Sequence, residues 1–170
     1  MNTEHRNTRA LADQLDVILR SMDVDYTKND AGLLFTVSIP GERRKTIDVT
    51  LVVEDHALKV LSFVARCPEE RHQQVWEELL RRNFELFSVA FTIDDRDHDI
   101  YLVGRVSHSS VNEHDIDRLL GVVHQATDGV FNRILELGFE SSIRQEWRWR
   151  LDRGESTVNL QAFEQFKPRD

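Results

Sequence analysis

The sequence predicts an α+β fold, an antiparallel sheet of about five strands with helices, in the order α-β-β-β-α-β-β-α. Three observations carry that expectation. Apolar residues alternate with a period of two through "LLFTVSI", "TIDVTLVVE" and "ALKVLSFVAR". They recur with helical spacing at Leu11, Leu15, Ile18, Leu19 and Met22, and again from Ile116 to Leu137. The links "PGERR" and "EDH" are too short to cross over between parallel strands, which leaves an antiparallel meander.

Taken in order, the first helix ends before the polar stretch "DVDYTKNDAG". Leu33, Phe35, Val37 and Ile39, then Ile47, Val49, Leu51 and Val53, form one face each of the first strands. Pro68 suits a helix first turn, so "EERHQQVWEELLRRN" reads as the second helix, with Val75, Trp76, Leu79 and Leu80 as its apolar stripe. A hairpin follows, with Phe87, Val89, Phe91 and Ile93 on one face of "FELFSVAFTI" and the return in "DIYLVGRV". Ser110 with Glu113, or equally Asn112 with Asp115, caps a long helix. Its stripe of Ile116, Leu120, Val123, Thr127, Val130, Ile134 and Leu137 reads as core rather than as a coiled-coil seam, and Gly138 supplies the stop.

The chain of 170 residues is long enough for one buried core, so residues 1–170 read as a single domain with an Arg- and Trp-rich C-terminal extension from about residue 140. Thirty acidic residues against 22 Lys and Arg give a formal net charge of −8, which opposes general attraction to phosphate backbones or anionic lipid. Apolar runs such as "GLLFTVSI" fall far short of a membrane span, and the polar N-terminus lacks a signal-peptide core, so a cytoplasmic location is expected. One cysteine, Cys67, excludes an internal disulfide and any cysteine-cluster metal site.

Motifs for chemistry are absent. "TIDDRDHDIYLVGRV" crowds Asp94, Asp95, Asp97 and Asp99 together, and Asp95, Asp97 and Asp99 match the first three ligand positions of a calcium loop. The position that needs Gly is Ile100 and the one that needs Glu is Val106, so the segment reads as a hairpin turn. Cys67 at a helix start invites a lowered thiol pKa, but the nearest histidine, His72, falls on the polar side of the same predicted helix. No paired-histidine zinc motif, glycine-rich phosphate loop or nucleophile elbow occurs, so no enzyme activity, metal or cofactor is expected. The richest composition is "SSIRQEWRWRLDR". There Trp147, Arg148, Trp149 and Arg150 are candidate partner-binding residues, since Trp and Arg are enriched where proteins meet. The same residues could stack on single-stranded nucleic acid, which is the alternative reading, or simply cover a groove.

At "FVARCPEE", "LLRRNFELFSVAFTIDD", "DIYLVGRV", "DIDRLLG" and "FNRILELGFESSIRQEWRWR", the sequence resembles the YbjN-like proteins of the actinobacterial type, from about residue 31 to residue 163. One departure stands out: the family pattern leads one to expect Gly before the acidic residue that opens "YLVGR", where this chain has His98 and Asp99. The resemblance implies the small fold of type III secretion chaperones, some relatives being described as sensory transduction regulators. It implies a peptide- or protein-binding chaperone or regulatory adaptor, commonly a homodimer, with a protein partner of unstated identity; the acidic composition and short apolar runs, for their part, leave nucleic acid and membrane not expected.

Overall fold

The computed structural model describes residues 3–169, with side chains from residue 7. Helix α1 (Thr3–Ser21) precedes four strands, β1 (Asp25–Lys28), β2 (Leu34–Pro40), β3 (Thr46–Val53) and β4 (Leu58–Ala65). Helix α2 (His72–Asn83) leads to β5 (Val89–Ile93) and β6 (Ile100–Val106), which are followed by α3 (Glu113–Gly138) and α4 (Glu140–Arg153). Short 3-10 segments occupy His108–Ser110 and Val158–Phe166. The sheet is antiparallel throughout, in the order β1-β2-β3-β4-β6-β5. It has six strands rather than about five. The addition is β1, a four-residue edge with largely exposed side chains that the polar stretch concealed.

The alternation read from the sequence sorts the faces. Phe35, Val37, Val49, Leu51, Val60 and Leu102 are buried under α1 and α3, which supply Leu15, Leu19, Ile116, Val123, Val130 and Ile134. Burying a side chain of this kind contributes roughly 1.5–3 kcal/mol each, so this layer dominates the favourable side of folding. The α3 stripe is therefore core. Asn112 provides the N-cap, its side chain accepting the Asp115 N–H at 3.0 Å while its Nδ2 donates to the Asp115 carboxylate. Ser110 ends the preceding 3-10 segment instead.

Three expected features differ. Helix α2 starts at His72 with Arg71 as N-cap in the left-handed region (φ 49°), so Pro68 and Cys67 precede the helix rather than open it. In the α2 stripe, Val75 and Leu79 are buried but Leu80 is 68% exposed. Beyond Gly138 the chain does not trail away: α4 begins at once, and Ile143, Trp147, Leu160 and Phe163 form a second small cluster against Leu135, Phe139 and Phe166.

The joint between α3 and α4 is tightly built. A Cβ on Gly138 would lie 2.7 Å from the Pro68 Cβ, so only glycine lets the helix end approach that ring. The Gly138 carbonyl accepts the backbone N–H groups of Glu69 and Glu70 at 2.9 and 3.2 Å. In return the Glu70 carboxylate accepts the Ser141 N–H at 2.7 Å, and Ser142 donates its hydroxyl to Glu69. Loop carboxylates thus cap the first turn of α4, where helix amides have no partner of their own.

Candidate functional site

The acidic segment is a turn. Its carboxylates are engaged locally: Asp94 accepts the Arg96 N–H at 2.8 Å, Asp97 accepts that of Asp99 at 3.0 Å, and Asp99 accepts that of Cys67 at 2.8 Å. His98 adopts φ 59°, the left-handed conformation that glycine takes at least cost, which explains the glycine expected at that place. Cys67 Sγ lies 4.0 Å from His72 Nε2, a proximity that the helical reading of residues 68–72 had missed. The His72 ring also lies beside Trp76, at 6.1 Å between centroids, and among the described residues no third group orients the imidazole as a base of a catalytic pair would be oriented.

The four residues singled out in the C-terminal extension divide by helix geometry. Trp147 is 3% exposed, and its Nε1 donates to the Phe163 carbonyl at 3.1 Å, so it anchors the arm and offers no face to a partner. Arg150 pairs with Glu146 at 2.6 Å and donates to the Ser156 carbonyl. Arg148 and Trp149 face outward, Trp149 at 40% exposure with the Arg153 guanidinium 4.8 Å from its ring centroid. Arg144 is likewise committed, to Glu140 at 2.8 Å. With Arg144 and Arg150 paired to carboxylates, the extension is a poor match for a phosphate backbone.

A feature that sequence reasoning overlooked is an apolar ridge at the end of α2. Leu80, Phe84 and Phe87 are 68%, 94% and 70% exposed. Trp76, Leu80 and Phe84 follow at four-residue intervals, and Phe84 keeps helical backbone angles, so the three share one face. The turn that presents Phe87 is held under strain. Ser88 has φ 66°, and its carbonyl approaches Gly104 so closely that a Cβ there would lie 2.1 Å away. Gly104 is the glycine of "YLVGR", and it permits this turn. Arg118 of α3 backs the Phe87 ring at 5.7 Å. A signal was available in the sequence, since "LLRRNFELF" contains more apolar residues than one helix face can bury.

The sheet edges are less available than the ridge. Asn83 treats β5 as a neighbouring strand would: its Oδ1 accepts the Phe91 N–H at 2.7 Å and its Nδ2 donates to the Phe91 carbonyl at 3.3 Å. That blocks the middle of one edge. The other edge, β1, spans four residues. Among the described residues no helix is long and apolar enough to cross a membrane, and no group of three or more His, Cys, Asp or Glu side chains is placed to hold a metal ion.

Comparison with known proteins agrees with this architecture. A chain of the HopA1-SchA chaperone-effector complex superposes with a TM-score of 0.54 at 12% identity, covering 76% of this chain and 96% of that one. That likeness shows the fold, an α+β chaperone-like one. The Yersinia pestis type III secretion chaperone SycH, solved with a fragment of YscM2, gives a TM-score of 0.46 at 15% identity over 75% of this chain and 98% of its own. An uncharacterized protein of Mycobacterium tuberculosis is 49% identical over 132 residues, 78% of this chain and 72% of that protein. Its counterpart in Mycobacterium leprae is 50% identical over 134 residues, 79% and 72% respectively. Residues 11–136 match the family model described as "Putative bacterial sensory transduction regulator", and the chain belongs to that family, YbjN.

Proposed function

We propose that this chain is a cytoplasmic, non-enzymatic protein-binding adaptor of the chaperone type, working as a homodimer and as one domain with its C-terminal arm. The observation that carries the reading is the ridge of Leu80, Phe84 and Phe87. Side chains of this size standing clear of the surface together are characteristic of a protein contact, and here a strained turn and a buttressing arginine hold Phe87 in place. A second copy covers the ridge across a twofold axis, where each copy presents the same residues to the other. The chaperone-like fold and the family support a partner protein bound by the surfaces that remain, with Arg148 and Trp149 of α4 among the contacts.

Light scattering after size exclusion tests the first part: the wild type runs as a dimer and Phe84→Asp as a folded monomer with an unchanged circular dichroism spectrum. A monomeric wild type overturns it. For the second part, the tagged protein is purified from its host and co-purifying chains are identified by mass spectrometry, with Trp149→Ala in parallel. A stoichiometric partner lost from the folded Trp149→Ala variant supports the reading, and binding that is equal in both removes Trp149 from the contact.

A further inference from the structure

The strand register lays out the sheet face that α1 and α3 do not cover. Thr36, Thr50, Leu61, Val103 and Ala90 stand side by side in one row across β2, β3, β4, β6 and β5. On one side of that row lie Lys59 and Arg105, paired across β4 and β6. On the other lie Phe63 and Tyr101, whose rings meet edge to face at 5.5 Å. Over β4, β6 and β5, Lys59, Arg105 and Tyr101 of this face border a trough of about 370 Å³ with an apolar floor of Leu61 and Val103. Lys59 and Arg105 close one end, and Asp94 and Asp95 of the β5–β6 turn close the other. The polarity is real at the acidic end: burial, and then the carboxylates of Asp97, Asp99 and Asp94, raise the Tyr101 hydroxyl above its ordinary pKa.

Dimensions and backbone chemistry select the occupant. From Asp99 to Arg105 the trough runs about 20 Å at roughly 3.4 Å per residue, and three strands spaced by about 4.8 Å make it about 10 Å wide. That footprint, about 200 Å², falls far below the roughly 800 Å² per partner of a stable dimer, so a second copy is excluded as the occupant. A strand laid on the face would leave its own N–H and C=O groups against apolar side chains, since those of β4 and β6 are used within the sheet. A helix satisfies its backbone internally and is about 10 Å across, and 20 Å accommodates about 13 residues of it. Direction follows from charge. The positive N-terminal end of a helix suits Asp94 and Asp95, and its negative C-terminal end suits Lys59 and Arg105. Among the described residues Lys59 makes no ion pair, while Glu54 lies 3.4 Å from Arg105 in an exposed pair that an incoming carboxylate would have to displace or share.

We infer that the trough along β6 binds an amphipathic helix of a protein partner, with basic residues at its N-terminal end and acidic residues at its C-terminal end. This rests on the protein-binding reading and names the chemistry of the partner segment.

The test uses the full-length protein and two synthetic helical peptides of about 14 residues with the same Leu stripe. One carries Lys in its first turn and Glu in its last, and the other has those charges exchanged. By fluorescence anisotropy at low salt, the first is expected to bind about tenfold more tightly, and the triple variant Lys59→Glu, Arg105→Glu, Asp95→Lys to reverse the preference. These three side chains are on the sheet surface or in an exposed turn, and thermal denaturation of the triple variant checks that the fold is kept. Equal binding of the two peptides, absence of saturable binding up to about 1 mM, or an unchanged preference in the folded triple variant overturns the proposal. A host partner that co-purifies equally with wild type and triple variant would overturn the trough while leaving the protein-binding reading in place.

Discussion

Asp128 on α3 holds Arg44 by its backbone: one carboxylate oxygen accepts the Arg44 N–H at 3.1 Å and the Arg43 N–H at 2.9 Å, and the Asp128 side chain is almost completely buried. The turn between β2 and β3 is therefore fastened to the middle of the long helix. A Cβ on Gly41 would come within 2.8 Å of the same carboxylate, so the close approach needs that glycine as well. Once the turn is placed, the Arg44 side chain lies between the Phe63 and Phe131 rings, at 5.5 and 5.4 Å, and donates to the Phe63 and Val64 carbonyls where β4 slips register against β6. Without it, those bulge carbonyls would need another donor.

Asp128→Ala removes the carboxylate acceptor from two partly buried N–H groups and is expected to cost about 1–2 kcal/mol, or about 2–8 °C in Tm for a chain of this size. Asp128→Asn keeps an oxygen in place and should cost about half as much. Thermal denaturation followed by circular dichroism measures both. An Ala variant within about 0.5 kcal/mol of wild type would mean that the turn is held by other contacts.

Two glycines of α3 respond oppositely to the same substitution. Gly121 has open space where a Cβ would go, so Gly121→Ala should stabilise the protein by about 0.5–1 kcal/mol through helix propensity alone. Gly138→Ala places a methyl 2.7 Å from the rigid Pro68 ring and should destabilise by about 1–3 kcal/mol. Urea unfolding of both variants decides the matter, and shifts of the same sign would contradict this account of the joint.

His98→Gly should raise stability by up to about 1 kcal/mol, because a non-glycine residue at φ 59° costs about 1–2 kcal/mol, which exceeds the entropy that glycine loses on folding. The His98 backbone N–H donates to the Asp94 carbonyl at 3.0 Å, a bond the substitution leaves intact. A lower midpoint in urea would show that the imidazole contributes to the turn.

Much of this fold was legible because burial and periodicity coincide in it. Every α3 stripe residue from Ile116 to Ile134 is buried, and β2, β3 and β4 fall where alternation put them. The edge strand "DYTK" was not legible, since three of its four side chains are exposed and no alternation marks it. Trp147 and Trp149 could not be told apart by composition. They lie about 200° apart on a helix, and the cover over Trp147 comes from Leu160 and Phe163 in a 3-10 segment without helical or strand periodicity. Cys67 and His72 meet because Arg71 enters the left-handed region, a backbone event that no spacing announces.

The two tryptophans give the sharpest contrast in the arm. Trp147→Ala removes a buried indole and its bond to Phe163, with an expected cost of about 3–5 kcal/mol, enough to release α4 and the segment 158–166. Trp149→Ala should change stability by less than about 0.5 kcal/mol. Limited proteolysis near Gly154 separates the cases: rapid cleavage of the Trp149→Ala variant would place that residue in the packing.

Acid should loosen the same arm before the sheet. Glu140 opens α4, and its carboxylate accepts from Arg144 at 2.8 Å and Arg71 at 2.6 Å. Those bonds, Arg144's first and then Arg71's, hold its pKa below the ordinary carboxylate value. A lowered folded-state pKa means that the stabilisation is complete above the unfolded value of about 4.3, and is lost as pH falls through the folded one. Protonation also removes a negative charge from the helix N-terminus, where it is favourable. Amide hydrogen exchange across residues 140–153 should therefore accelerate relative to β3 and β4 as pH drops below about 4.3, after correction for the intrinsic rate. In Glu140→Gln the acceleration should be smaller, because that contribution is already missing at neutral pH. An identical acid response in the two proteins would show that Glu140 does not govern the loosening.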